Sequence, residues 1–322
     1  MKRQSLILLT LTAATPLALL LALTMGSVPI GLSATLSVLA GGGEELHRLL
    51  IWELRLPRVL AAFVTGGLLA MAGALMQVLL RNPLADPYVL GLSGGAAVGA
   101  LLSMLAGWGF MAISGSAFVG ALLSAIIVFG LAHGTGSWTP TRLLLTGVVV
   151  AAGWGALISF LLAITPSPSL PGMLFWLMGD LSHARGSGPA FVLLAAVMLV
   201  ALPMGRHLNV LARGPLQAAA LGVNVRPLEW GIYVVAALLT ASAVTLAGAV
   251  GFVGLIVPHM LRLVLGNDQR IILPASALLG GILLTLADTA ARTVIAPQQL
   301  PVGVITALLG VPVFLYLLHR SR

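Results

Sequence analysis

The sequence contains no cysteine and only one lysine, Lys2, among its 322 residues. Without cysteine the chain can form no disulfide, no thiolate-bound zinc or iron-sulfur cluster and no thiol nucleophile. A lone lysine at the amino terminus excludes a Walker phosphate-binding loop, which needs a Gly-Lys-Ser/Thr step at the start of a helix. If nucleotide drives this protein, another chain must bind it.

Charged residues are also scarce. They make up 7% of the chain, against roughly 25% in an ordinary soluble domain, whereas 59% of the residues are hydrophobic. So few charges cannot cover the surface of a 33.0 kDa globule, but a surface that faces lipid needs none. The composition therefore predicts an integral membrane protein. The formal net charge of +8 does not point to nucleic acid, because the arginines are scattered singly between apolar runs.

Apolar runs of about 20 residues, separated by Gly, Pro and charged positions, predict an all-α protein that crosses the membrane about ten times. No polar domain or low-complexity linker interrupts residues 1–322, which predicts a single transmembrane domain. Placing both ends in the cytoplasm puts eleven of the 16 basic residues inside, as the positive-inside rule favours. The predicted spans are 6–25, 58–80, 89–106, 110–132, 142–164, 189–204, 230–249, 251–266, 271–294 and 302–318.

The first of these spans also fits a secretory signal peptide, because Lys2 and Arg3 precede an apolar run. The run from Leu6 to Met25 is longer than the 7 to 15 apolar residues of a typical signal-peptide core. Its length favours a span that stays in the protein, with cleavage as the alternative.

Small residues recur in the second span, among them Gly66 and Gly67, and again around Gly251 and Gly254. Small faces let helices approach closely, and a duplicated half of a transporter would repeat them. Ordinary helix packing explains them better, because the two stretches do not align well. Gly66 and Gly67 are also compatible with the wall of a wide, weakly adhesive passage.

Gln77 and Ser93 are uncharged polar candidates for the same translocation path. For Gln77, a hydrogen bond between helices is the favoured alternative. Ser93 belongs to a Gly-Leu-Ser-Gly sequence at 91–94 that matches the short pattern of intramembrane serine proteases, with His259 as a conceivable base. This short pattern arises easily by chance in a chain with 38 glycines. A serine that caps or starts a helix is the simpler interpretation of Ser93. The six histidines are dispersed, so the sequence predicts no metal site.

Asp288 is the one acidic residue embedded in a predicted span, and Arg292 lies four positions later on the same helical face. An unpaired charge in the membrane is costly, so the pair is predicted to form an intramembrane ion pair. A proton relay is the alternative use of such an acid.

Two further features, one outside the membrane and one in the cytoplasm, indicate contacts with other proteins. Arg55 and Arg58 precede the second span on the side where the positive-inside rule disfavours them, which indicates an external use; snorkelling beside Trp52 is the alternative. Inside, residues 213–226 contain a short helix-compatible segment that ends at Gly222, a residue suited to a helix C-cap. A compact knob of this kind suits the groove of a partner protein.

At these positions the chain resembles the permease subunits of bacterial ABC importers for iron chelates (siderophore and haem) and cobalamin. The likeness covers residues 51–318 and rests on four sequences: Leu-Arg-Leu-Pro-Arg at 54–58, Asn-Pro-Leu-Ala-Asp-Pro at 82–87, Gly-Phe-Val-Gly-Leu-Ile-Val-Pro-His at 251–259 and Leu-Pro-Val-Gly at 300–303. The resemblance implies the ten-span, type II importer fold of the cobalamin permease, in a multi-pass protein of the bacterial inner membrane.

The resemblance also implies partners and roles. It implies a second permease copy that completes a homodimer, two ATPase subunits that carry ATP and Mg, and a periplasmic substrate-binding protein. The permease itself is expected to bind no cofactor and to catalyse no reaction. By position, Arg55, Arg58 and Arg292 would contact acidic residues of the binding protein, and 213–225 would be the coupling segment, with Leu216, Ala219, Leu221 and Gly222 contacting the ATPase.

The function predicted on these grounds is import of a metal chelate, because a path without fixed ligands suits a metal that brings its own coordination shell. Cobalamin is slightly favoured over ferric siderophore and haem by overall similarity near Arg55 and Pro301. Two rivals remain: an ion-coupled secondary transporter, for which Asp288 is the candidate ion site, and the intramembrane protease built on Ser93.

Overall fold

The computed structural model describes residues 2–133, 139–184 and 186–320, and this part of the chain is helical, without a β-strand. One π-helical turn, Leu50–Arg55, precedes α4, and one 3-10 turn, Pro87–Leu90, precedes α5. The α-helices are α1 (Lys2–Thr24), α2 (Leu32–Leu39), α3 (Glu45–Leu49), α4 (Leu56–Leu79), α5 (Leu92–Leu105), α6 (Phe110–His133), α7 (Pro140–Ile164), α8 (Leu170–Leu177), α9 (Gly188–Ala201), α10 (Gly205–Leu211), α11 (Pro215–Ala220), α12 (Val225–Ala247), α13 (Val253–Leu265), α14 (Gln269–Thr293) and α15 (Val302–Arg320).

Each of the ten predicted spans coincides with one of these helices, but the helices differ in length. Six helical stretches in the described residues are long and apolar enough to cross a membrane, and α9 with α10, bent by 73°, could form a seventh. The helices α5, α13 and α15 are shorter. Hydropathy overestimates the lengths of α5 and α13. The predicted span of α5 includes Val89 and Leu90, which lie in the 3-10 turn, and that of α13 includes Phe252, whose backbone is left-handed, φ +70°. These residues are apolar but form the turns that lead into the helices.

The helix α4 is the centre of the bundle, and it packs most extensively against α14 and α12. Glycines allow its backbone to approach its neighbours. A Cβ at Gly66 would clash with the carbonyl oxygen of Gly280 in α14, and one at Gly73 would clash with that of Gly254 in α13. These glycines are buried, so they serve close packing of helix backbones.

This placement corrects the interpretation of Gly66 and Gly67 as residues of an open path. A Cβ at Gly67 would lie 3.1 Å from the carbonyl oxygen of Ala277, so this glycine also faces α14. Both residues are enclosed between helices of the same chain because the small-residue face of α4 packs on α14. Neither is on a surface that a solute could contact in this arrangement.

The antiparallel course of the helices brings distant residues together at the two ends of the bundle. The end of α1, the start of α4 and the end of α14 meet at one end, which the positive-inside count assigns to the outside. The end of α4, the α10–α11 segment and the starts of α12 and α14 lie at the other. The two candidate sites occupy these opposite ends.

Candidate functional site

At the outer end, a buried cluster of charged side chains surrounds Asp288 of α14, which has no exposed surface. Arg58 of α4 donates hydrogen bonds to this carboxylate from two nitrogens. Its Nε lies 3.0 Å from both carboxylate oxygens, and its Nη2 lies 2.8 Å from Oδ1. Arg292 lies one helical turn further along α14, with Nε 3.2 Å from Asp288 Oδ2. We call Arg55, Arg58, Asp288 and Arg292 the arginine cluster.

The other guanidinium groups of the arginine cluster bind the end of α1. Arg55 donates hydrogen bonds to the carbonyl oxygens of Leu23 (2.7 Å) and Thr24 (3.1 Å) and to that of Val28. Arg292 donates to the carbonyl oxygen of Ala22 at 3.2 Å. The last carbonyls of a helix lack partners within it and carry partial negative charge, so cations there are stabilising. The two arginines therefore fasten α1 to the bundle.

The charges of the arginine cluster do not balance. The cluster holds three guanidinium groups but one carboxylate, which pairs with Arg58 and Arg292, and all three arginines are buried, with 6% to 8% of their surface exposed. A cavity of about 240 Å³ reaches them from outside and is also lined by Gln299, whose Oε1 accepts a 2.7 Å hydrogen bond from Arg58 Nη1. A carboxylate that entered this cavity would meet excess positive charge.

The arginine cluster contains every arginine to which the resemblance gave an external contact. The i,i+4 spacing of Asp288 and Arg292 was sufficient to suggest their pairing, but it did not reveal Arg58 as the closer partner of the carboxylate. A usable signal existed. Arg58 lies near the start of α4 and Asp288 near the end of α14, so antiparallel neighbours place both residues at the same depth.

The segment 213–225, which we call the coupling knob, lies at the opposite end of the bundle. Its compact part is the helix α11. Gly222 ends this helix in a left-handed conformation, φ +80°. The amide of Gly222 donates to Ala219 O at 3.0 Å, and the amide of Val223 donates to Ala218 O at 3.0 Å. This is the Schellman arrangement, in which a glycine lets the chain reverse while the last carbonyls stay bonded.

The coupling knob presents apolar side chains to its surroundings. Leu216 is 86% exposed and Leu221 is 69% exposed, and Ala219 and Gly222 are also exposed. Ala218, in contrast, is fully buried and anchors the helix to the bundle. A rigid, capped helix with exposed leucines can fill an apolar groove in a partner without first having to be ordered.

The remaining polar candidates do not form a catalytic pair. Gln77 donates from Nε2 to Leu255 O at 3.2 Å and to Ala85 O at 3.4 Å, so it joins α4 to α13. The helix start at Gly91 carries no side-chain cap, and no hydrogen bond between described residues joins Ser93 to His259. His259 instead lines a polar cavity near the coupling knob, together with Gln77.

Comparisons with known proteins agree over nearly the whole chain. A family model described as the FecCD transport family matches residues 14–320. The hemin transport system permease protein HmuU of Yersinia pestis is 41% identical over 319 residues, which cover 95% of this chain and 94% of that protein. The vitamin B12 import system permease protein BtuC of Vibrio cholerae is 39% identical over 286 residues, which cover 87% and 85%.

The fold agrees as well. The solved inward-facing structure of a metal-chelate type ABC transporter superposes with a TM-score of 0.84 at 28% sequence identity. The match covers 98% of this chain and 99% of that one.

Proposed function

The chain belongs to the FecCD transport family, and on that premise we propose that it forms the membrane passage of an importer for metal chelates. The observation that carries this proposal is the agreement of almost the entire chain with permeases that are named for haemin and vitamin B12. It is a multi-pass membrane protein and a transport subunit. Membership in this family replaces the secondary transporter and the intramembrane protease as interpretations. The bacterial inner membrane is the proposed location.

The proposed machine contains chains besides this one. A second copy would complete the passage, and two ATPase subunits would bind ATP and Mg, since the permease's lone lysine leaves it without a phosphate-binding loop. The coupling knob would dock into the ATPase, because its exposed leucines are held on a capped helix. Hydrolysis in the ATPase would then move the bundle through this contact.

A soluble binding protein would dock at the outer end, over the arginine cluster. The buried surplus of positive charge supports this role, because a carboxylate entering the 240 Å³ cavity would compensate it. The buried position of the arginines limits the contact to side chains that reach inward. Docking would therefore depend on shape as well as on charge.

We expect Arg55→Gln to weaken docking of the binding protein about tenfold, the value of one charge-assisted hydrogen bond in a partly buried site. The matched control is Arg48→Gln, which removes the same charge from an exposed external residue that does not line the cavity. Surface plasmon resonance with the detergent-purified permease would measure both, after gel filtration shows that each variant is folded. Equal affinity of Arg55→Gln and Arg48→Gln for the binding protein would contradict this docking site.

The proposed cargo is a metal already held in an organic chelate. The relatives named for haemin and vitamin B12 differ by only two percentage points in identity, 41% and 39%, so overall similarity does not favour cobalamin over haem. A chelate supplies the metal's ligands itself, so the protein needs to provide only a wide passage. The binding protein would then select among chelates.

Transport in liposomes tests the proposal directly. We expect the permease, reconstituted with its ATPase and binding protein, to import at least one of haem, cobalamin and a ferric siderophore when ATP is supplied inside. Vesicles with a hydrolysis-deficient ATPase are the control and should import none. Uptake of free ferric or cobalt ions without uptake of any chelate would overturn the assigned cargo class.

A further inference from the structure

A second cavity lies at the outer end of the bundle, next to the one that reaches the arginine cluster. Its volume is about 670 Å³, within the range of roughly 300 to 1,000 Å³ that is typical of small-molecule sites. Ser182 and Gln299 line both cavities, so the two adjoin each other. Because the binding protein would dock at this end, the larger cavity is placed to receive the cargo that it releases.

The wall of the larger cavity is mainly apolar and includes aromatic rings. Phe110 begins α6, and Phe175 and Trp176 lie in α8. Aromatic side chains of this kind stack on flat, unsaturated ligands. Such a wall favours a ligand with a broad apolar face over a small hydrated ion.

One polar side chain in the wall, that of His183, is arranged as a metal ligand. Asp180 accepts hydrogen bonds from the amide of Ser182 at 2.8 Å and from the Ser182 hydroxyl. That hydroxyl has a single hydrogen, so it can only accept from Nδ1 of His183, which lies 2.9 Å away. The imidazole is therefore protonated at Nδ1 and carries its lone pair at Nε2. A metal-ligating histidine is typically held in this way by a partner on its other ring nitrogen.

The imidazole is accessible, and the turn that carries it is fixed to the bundle. The side chain of His183 is 84% exposed and lines the cavity. In the same turn, Leu181 has no exposed surface. Gly179 is left-handed, φ +82°, and a Cβ there would lie 2.8 Å from the carbonyl oxygen of Ala249. The histidine is therefore positioned before a ligand arrives.

A single imidazole cannot hold a bare metal ion. Within residues 2–133, 139–184 and 186–320, no group of three or more His, Cys, Asp or Glu side chains could hold one. The metal must therefore bring its other ligands and keep one coordination position open. A ferric siderophore that saturates its iron offers no such position, whereas haem iron is held by the porphyrin nitrogens and takes axial ligands such as histidine.

The positive charge next to the larger cavity distinguishes haem from cobalamin. Haem carries propionate carboxylates, whereas the corrin ring carries amides and its cobalt already receives a base from the nucleotide loop. Gln299 accepts from Arg58 through Oε1, and its amide Nε2 is a donor for a carboxylate at the boundary of the two cavities. We infer that the larger cavity receives haem, with His183 Nε2 on the iron and a propionate near Gln299. This inference rests on the proposed importer function and names its cargo.

Optical titration of the detergent-purified permease with haemin tests this inference without the ATPase or the binding protein. The Soret band reports axial ligation of the iron, and metal-free protoporphyrin IX, which has no metal to ligate, is titrated in parallel. The variants are His183→Ala and, for its supporting partner, Ser182→Ala. The matched control is His47→Ala, because His47 also has an acidic residue three positions earlier, Glu44, but does not line the cavity.

We expect Ser182→Ala to weaken haemin binding about tenfold and His183→Ala to weaken it at least as much, because losing the second partner of a metal-ligating histidine costs about 10- to 100-fold. Both variants should bind metal-free protoporphyrin IX like the wild type, and His47→Ala should bind both porphyrins like the wild type. Equal haemin affinity and an unchanged Soret band in His183→Ala would overturn the inference. Equal losses of haemin and metal-free porphyrin would also overturn it, because the histidine would then not act through the iron.

The transport assay separates this inference from the importer proposal. Import of cobalamin or a ferric siderophore, without import of haem, would overturn the haem assignment and leave the importer proposal standing. Haemin binding that depends on His183, without ATP-driven import of any chelate, would support the haem site and contradict the importer proposal.

Discussion

Leu221→Asp in the coupling knob is expected to separate the permease from its ATPase while the helical bundle stays folded. The side chain is 69% exposed, so the substitution removes no core contact. In a complex, however, a leucine that fills an apolar groove contributes about 1.5 to 3 kcal/mol, and a carboxylate in its place would be left desolvated. We therefore expect affinity for the ATPase to fall at least about 30-fold.

Co-purification and transport-coupled ATP turnover in liposomes measure this effect. Leu46→Asp is the matched control, because Leu46 is 59% exposed on α3 at the opposite end of the bundle. It should retain the ATPase at wild-type level. If Leu221→Asp is monodisperse and supports unchanged ATP turnover during transport, the coupling knob is not the contact with the ATPase.

The second large effect is expected from Asp288→Ala, which should abolish recovery of folded protein. The substitution leaves the buried guanidinium groups of Arg58 and Arg292 without their carboxylate, and breaking a buried ion pair by removing one partner costs about 3 to 5 kcal/mol. That cost is a large part of the stability of a typical domain. Asp288→Asn should show a smaller loss, because the amide can still accept a hydrogen bond from Arg58.

A double-mutant cycle separates the interaction energy of Arg58 and Asp288 from the contribution of their surroundings. The combination of Asp288→Asn with Arg58→Gln should cost less than the sum of the two single substitutions, by roughly 1 to 3 kcal/mol. Arg270→Gln is the control, since its partner Asp268 lies in an exposed pair that contributes about 0 to 1 kcal/mol. Thermal unfolding in detergent gives the comparison. Strict additivity of the two substitutions would show that Arg58 and Asp288 do not stabilise each other.

Local signals in the sequence predict local structure well here. The Gly222 cap follows from a helix-compatible stretch that ends in glycine, and the closeness of Asp288 to Arg292 follows from a spacing of one helical turn. The ten apolar runs likewise locate ten helices. Each of these features depends on residues that are near one another in the chain.

The parts that could not be predicted depend on contacts between distant segments. Arg58 and Asp288 are 230 residues apart, and their common depth in the membrane indicates a pair only once α4 and α14 are known to be neighbours. Gly66 illustrates the same limit: a small residue fits a passage and a helix contact equally well, and only the position of Gly280 decides between them. The cap that Arg55 provides for α1 is also invisible until the ends of the helices are placed.

The span of 230 residues between Arg58 and Asp288 has a consequence for biosynthesis. The chain is made from its amino terminus at about 5 to 20 residues per second, so the arginine precedes its carboxylate by roughly 10 to 50 s. During that interval Arg58 lacks its carboxylate and needs another partner, such as water or a lipid phosphate. The outer end of the early helices therefore reaches its final charge pairing only after α14 has been made.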